Sequence, residues 1–94
     1  MALDSQAVFR ELCLDRGLGQ YLPRFVERGW ATLGEFGFAS DYTPAMPGGE
    51  ELFNSSIAVP ILGEDGATHR DKPKVRRLFF EAFAMAGAEL RRKV

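Results

Sequence analysis

The sequence holds one cysteine, Cys13, and one histidine, His69. A lone thiol closes no internal disulfide, and one thiol with one imidazole cannot supply the three or four ligands that a zinc site needs. Long apolar runs are missing too, the longest being only a few residues, as in 57–62. A helix needs about 20 consecutive apolar residues to span a bilayer, so no span is expected. Met1-Ala2-Leu3-Asp4 lacks the basic, then apolar start of a secretion signal. Strand-like alternation of useful length and internal repeats are absent as well. These absences predict a soluble domain of a reducing, intracellular compartment, cytoplasmic or nuclear, with no metal, no other cofactor and no membrane contact.

Catalytic constellations are equally scarce. Cys13 lies on the apolar side of a helical stripe, where a thiol acts as a small buried hydrophobe. His69 stands beside Arg70, Asp71 and Lys72 in a polar stretch and is expected to be exposed. No Ser-His-Asp set, phosphate loop or pair of catalytic carboxylates can be assembled. Gly17-Leu18-Gly19 lacks the preceding strand and third glycine of a nucleotide fingerprint. The expectation is a protein that is not an enzyme and takes no small-molecule substrate.

What the chain does have is the material for a core. In 94 residues it carries 46% hydrophobic residues, eight Phe and 27% charged residues. That composition suits one globular domain over 1–94 and excludes charge-rich disorder. Asp4 or Ser5 can cap a first helix bearing Val8, Phe9, Leu12 and Cys13, with Gly17 as its stop. Leu18, Tyr21, Leu22, Phe25 and Val26 repeat the helical stripe up to Gly29, with Pro23 placed in the first turn. Thr32-Leu33-Gly34-Glu35 matches a capping box and starts a short third helix that reaches about Phe38. Residues 39–49 carry turn chemistry and read as a loop. Leu52, Phe53, Ser56 and Ile57 suggest a fourth helix broken or kinked near Pro60, followed by a loop near 63–70. Val75, Leu78, Phe79, Ala82, Phe83, Ala86 and Leu90 trace one face of a long last helix, with Asp71 as cap, Pro73 in the first turn and Arg91, Arg92 and Lys93 at its end. The fold class is therefore all-α: five helices with a long C-terminal one. Leu12, Tyr21, Phe25, Leu33, Leu78, Phe79, Ala82 and Phe83 are expected in one core.

Leu18, Tyr21, Phe25, Gly29 and Thr32-Leu33 reproduce a Leu-x2-Tyr-x3-Phe-x3-Gly-x2-Thr-Leu spacing. This resembles the first half of sterile alpha motif (SAM) domains, five-helix interaction modules that end in a long helix. Residues 8–36 match well and 69–90 match in pattern. Residues 37–68 match poorly, because Pro- and Gly-rich sequence expands the middle. The resemblance implies a SAM-like bundle that binds protein, either a second copy or a related helical domain.

Charge is sharply segregated. Residues 35–66 carry six acidic and no basic side chains, and residues 67–94 carry eight basic and three acidic ones, within a net charge of −1. In many SAM domains the start of the last helix meets an acidic mid-domain surface of another copy. The resemblance thus implies head-to-tail association between Arg70, Lys72, Lys74, Arg76 and Arg77 on one molecule and Glu35, Asp41, Glu50 and Glu51 on the next, the two sets standing on opposite faces. Phe80 lies off the apolar stripe beside the basic residues and is expected as an exposed anchor. A second reading is nucleic-acid binding through 70–77 and 91–93, opposed by the acidic block and the negative total. A third is an adapter segment of a larger assembly.

Overall fold

Local signals decide where each helix begins and ends. The computed structural model describes residues 2–43 and 45–92. A single 3-10 turn, Ala2–Asp4, precedes α1, Gln6–Asp15. Ser5 starts α1 by accepting the Val8 N–H on its hydroxyl, at 3.1 Å. Gly17, at φ 75°, ends it in a left-handed exit. The Leu18 N–H then reaches the Cys13 carbonyl and the Gly17 N–H the Leu14 carbonyl, the paired bonds of a Schellman motif. The same motif closes α2 (residues 19–27, a 3-10 turn Gly19–Tyr21 leading into Leu22–Glu27) at Gly29, φ 82°. Here the Trp30 N–H bonds the Phe25 carbonyl and the Gly29 N–H that of Val26.

Helix α3, Leu33–Gly37, is opened by the expected box: Thr32 Oγ1 accepts the Glu35 N–H at 3.1 Å. The Glu35 carboxylate reaches back one residue further than the motif requires, to the Ala31 N–H.

Of the break or kink expected near Pro60, helix α4 shows an irregular turn and no break: it runs through residues 49–62, as Gly49–Phe53, a π-helical turn Asn54–Ala58 and Val59–Leu62. A proline inside a helix lacks its N–H and crowds the carbonyl four residues back, and widening the preceding turn relieves the clash without stopping the helix. Helix α5, Lys72–Arg92, follows a loop of turns. Its basic end falls outside the described residues: nothing is placed for the side chains of Arg91 and Arg92 or for Lys93, nor for the Leu90 side chain. Among the described residues there is no strand.

The core is built from phenylalanine edges. Phe25 meets Phe9 and Phe36 edge-on with ring centroids 5.5 and 5.2 Å apart, and Phe36 meets Phe79 at 5.4 Å, which joins the first three helices to α5. Edge-to-face pairs of this kind add to the area they bury. Six of the eight expected core residues are buried, while Leu12 and Phe83 are half-buried against the cluster. Trp30 is half-buried and packs on Phe36. Phe53, Ile57 and Ile61 bring the α4 face into the same core. Tyr42 joins it from the loop, with its ring 5.1 Å from Phe53 and 5.6 Å from Phe79. Where α3 crosses α5 the backbones touch: a Cβ on Gly37 would stand 2.7 Å from the Ala82 carbonyl oxygen.

Candidate protein-interaction surface

The basic start of α5 is split by helical spacing into an inner and an outer set. Lys72 points inward and is almost fully buried. Its ammonium donates to the Glu50 carboxylate and to the Ala67 carbonyl, the latter at 3.2 Å. Arg76, one turn on, donates from Nη2 to both oxygens of the same carboxylate, at 2.7 and 2.8 Å. Its guanidinium lies 4.7 Å from the centre of the Phe53 ring and donates to the Tyr42 hydroxyl at 3.3 Å. Hydrogen bonds from Lys72, then Arg76, hold the Glu50 carboxyl below the usual carboxylate range.

Acidic and basic blocks therefore meet inside one molecule at these residues, and the expectation that they occupy opposite faces is corrected for Glu50, Lys72 and Arg76. The reason is geometric. Glu50 and Phe53 lie one turn apart at the start of α4, and α4 packs beside α5, so Arg76 finds a carboxylate and a ring face together.

The outer set is Arg70, Lys74 and Arg77, all exposed. Arg77 Nε donates to Glu81 at 3.0 Å, and Arg16, from the end of α1, forks onto the same carboxylate at 2.9 and 3.1 Å. Lys74 lies over Gly17, its ammonium 3.3 Å from where a Cβ would sit, and 3.4 Å from Asp71. Arg16, Lys74 and Arg77 thus form one cationic surface across two helices, with Arg70 at its edge. Burial pushes the Glu81 carboxyl up, but the bonds from Arg16 and Arg77 outweigh it and leave it below the ordinary value. The Glu81 bond raises Arg16 in turn. Arg16 escaped the sequence reading because 65 positions separate it from Glu81.

Beneath this surface Asp71 is buried, its carboxylate accepting the Tyr21 hydroxyl at 2.6 Å. That bond holds Asp71 below its ordinary value against the opposing effect of burial. Burial, then the same bond, raises the Tyr21 hydroxyl. His69 is half-buried and not the exposed bystander expected: its Nδ1 accepts the Asp71 N–H at 3.0 Å, and its ring meets Tyr21 edge-on. It helps seat the loop before α5.

Phe80 is also corrected. It is half-buried, stacked on the Tyr42 ring at 6.3 Å with an interplanar angle of 17°. Loop 39–48, which has no apolar period, nevertheless folds Tyr42 over it.

Glu35 is exposed but occupied in its cap, whereas Asp41, Glu51, Glu64 and Asp65 are exposed with no side-chain partner among the described residues. Cys13 is fully buried, and burial pushes its thiol up to about 12. Among the described residues no three His, Cys, Asp or Glu side chains cluster as metal ligands would, and no helix is long and apolar enough to cross a membrane. No family, curated protein or solved structure matches this chain.

Proposed function

We propose that this chain is a non-catalytic, SAM-like protein-interaction module that presents the outer basic surface of α5 to an acidic surface of another helical domain, a second copy included. The observation that carries the reading is the division of the basic block. Lys72 and Arg76 are both held by Glu50, while exposed Arg70, Lys74 and Arg77, with half-buried Arg16, meet among the described residues Glu81, the buried Asp71 and, beside Arg16, Asp15. On a second copy the complementary charges are Glu51, Glu64 and Asp65, which have no side-chain partner among the described residues of their own molecule. Docking one surface on a different one is heterologous and need not close into a symmetric dimer.

Light scattering coupled to size exclusion, across concentration and salt, tests this. Association should weaken with added salt, since exposed charges are screened beyond about 8 Å at physiological ionic strength. Lys74→Glu with Arg77→Glu should be more monomeric than the parent, as should Glu51→Lys with Glu64→Lys, and a mixture of the two should recover a heterodimer. Glu50 is kept intact because it clamps α5 within its own chain. A parent that stays monomeric at its solubility limit in low salt removes the second copy as partner. A reversed-charge variant that associates like the parent removes the basic surface.

A further inference from the structure

Two exposed features outside the basic surface fit one another. The first is a groove of about 390 Å³ between α1 and α2, with Ala7, Phe9, Leu22, Val26 and Ala31 as its apolar floor and Arg10 on its rim. Val26 is 58% exposed there, and Arg10 is exposed with no partner among the described residues. The second is Phe38, just past α3 and 57% exposed, with exposed Asp41 three positions on, whose carboxylate has no partner among the described residues.

Single exposed apolar residues are ordinary. Here, however, the apolar groove is lined by a cation, and the exposed ring is followed in the chain by an anion, neither with a partner among the described residues. The Phe38 segment is also held in place. The Ala39 N–H bonds the Phe36 carbonyl at 3.1 Å, Ser40 Oγ meets Ser56 Oγ at 2.7 Å, and the Tyr42 N–H donates to Ser40 Oγ at 3.0 Å. A segment already ordered loses little entropy on docking.

We infer that Phe38 and Asp41 of one copy dock in the α1–α2 groove of a second copy, the ring on the apolar floor and the carboxylate on the Arg10 guanidinium. An exposed ring followed three positions on by an exposed carboxylate, in one ordered segment, offers the complement of an apolar floor with a single cation. A phosphate-rich ligand would call for several cations. This contact shares no residue with the basic surface of α5, so the two stand or fall separately.

Sedimentation velocity over a concentration series in low salt tests the inference. Phe38→Ser, Arg10→Glu and Asp41→Arg should each weaken self-association about tenfold or more. Combining Arg10→Glu with Asp41→Arg should restore it, because the pair re-forms with its signs exchanged. All three side chains are exposed, so circular dichroism and thermal melting should match the parent, which separates lost docking from lost folding. Lys74→Glu with Arg77→Glu should leave this contact intact. The inference is overturned by a parent monomeric to its solubility limit, by single variants that associate like the parent, or by a double variant that stays weakened. Association abolished by the Lys74 and Arg77 changes alone would overturn it while leaving the basic-surface reading in place.

Discussion

At the scale of single residues, burial and one hydrogen bond control the ionisable groups at the core edge. Cys13 has no accessible surface and its thiol sits near 12, so almost no thiolate exists at neutral pH and none is exposed. Iodoacetamide at pH 8 should leave the native protein unlabelled and react fully once denaturant is added. The Tyr21–Asp71 bond is more consequential, because Tyr21→Phe would leave a buried carboxylate without its hydroxyl donor. The expected cost is roughly 1–3 kcal/mol, read from the denaturant midpoint. The same pair shapes the pH profile. Asp71 titrates lower folded than unfolded, so its contribution is present above the unfolded value, near pH 4, and is lost as pH falls through the folded one. Tyr21 titrates higher folded than unfolded, so its contribution is present below about pH 10 and is lost as pH rises through the folded value. Melting temperature should therefore hold steady at neutral pH and fall at both ends, and Tyr21→Phe should flatten the alkaline fall.

At the scale of helices, two glycines with opposite surroundings separate packing from propensity. Gly37 sits where α3 crosses α5, and a Cβ there would meet the Ala82 carbonyl oxygen at 2.7 Å and the Phe83 nitrogen at 3.2 Å. Backbone cannot swing away as a side chain can, so Gly37→Ala must push α3 off α5. A loss of about 1–3 kcal/mol or more is expected from overpacking. Gly87 lies inside α5, and among the described residues no side chain or neighbouring backbone stands within 4 Å of its would-be Cβ. Gly87→Ala should raise stability by roughly 0.5–1 kcal/mol, since alanine restricts the unfolded chain and favours the helix. Thermal melts of the two variants should move in opposite directions. If both move the same way, the contact between α3 and α5 is not as described.

At the scale of the whole molecule, pairing within the chain sets what the surface can attract. A net charge of −1 already disfavours a polyanion, and Glu50 engages two of the five cations around the start of α5, offsetting one of their charges. Asp41, Glu51, Glu64 and Asp65 have no side-chain partner among the described residues and would repel phosphates. Fluorescence anisotropy with labelled duplex and single-stranded DNA or RNA should show binding weaker than micromolar at physiological salt, with little sequence preference. A sub-micromolar, steeply salt-dependent constant would favour the nucleic-acid reading over protein binding.

What the sequence alone determined was local. Ser5, the box at Thr32 and Glu35, and the stops at Gly17 and Gly29 act over four or five residues, and helical stripes reveal which face of each helix is apolar. Five helices, a long last one and most of the core could therefore be read along the chain. The basic start of α5 was legible as a charged stretch, but its division was not. Tertiary structure alone decided that Glu50 would clamp Lys72 and Arg76, that Arg16 would join Arg77 on Glu81, and that Tyr42 would leave its loop to cover Phe80. Periodicity specifies the face a helix buries and says nothing about which neighbour meets it. Ion pairs and ring contacts between distant positions exist only once the backbones have crossed.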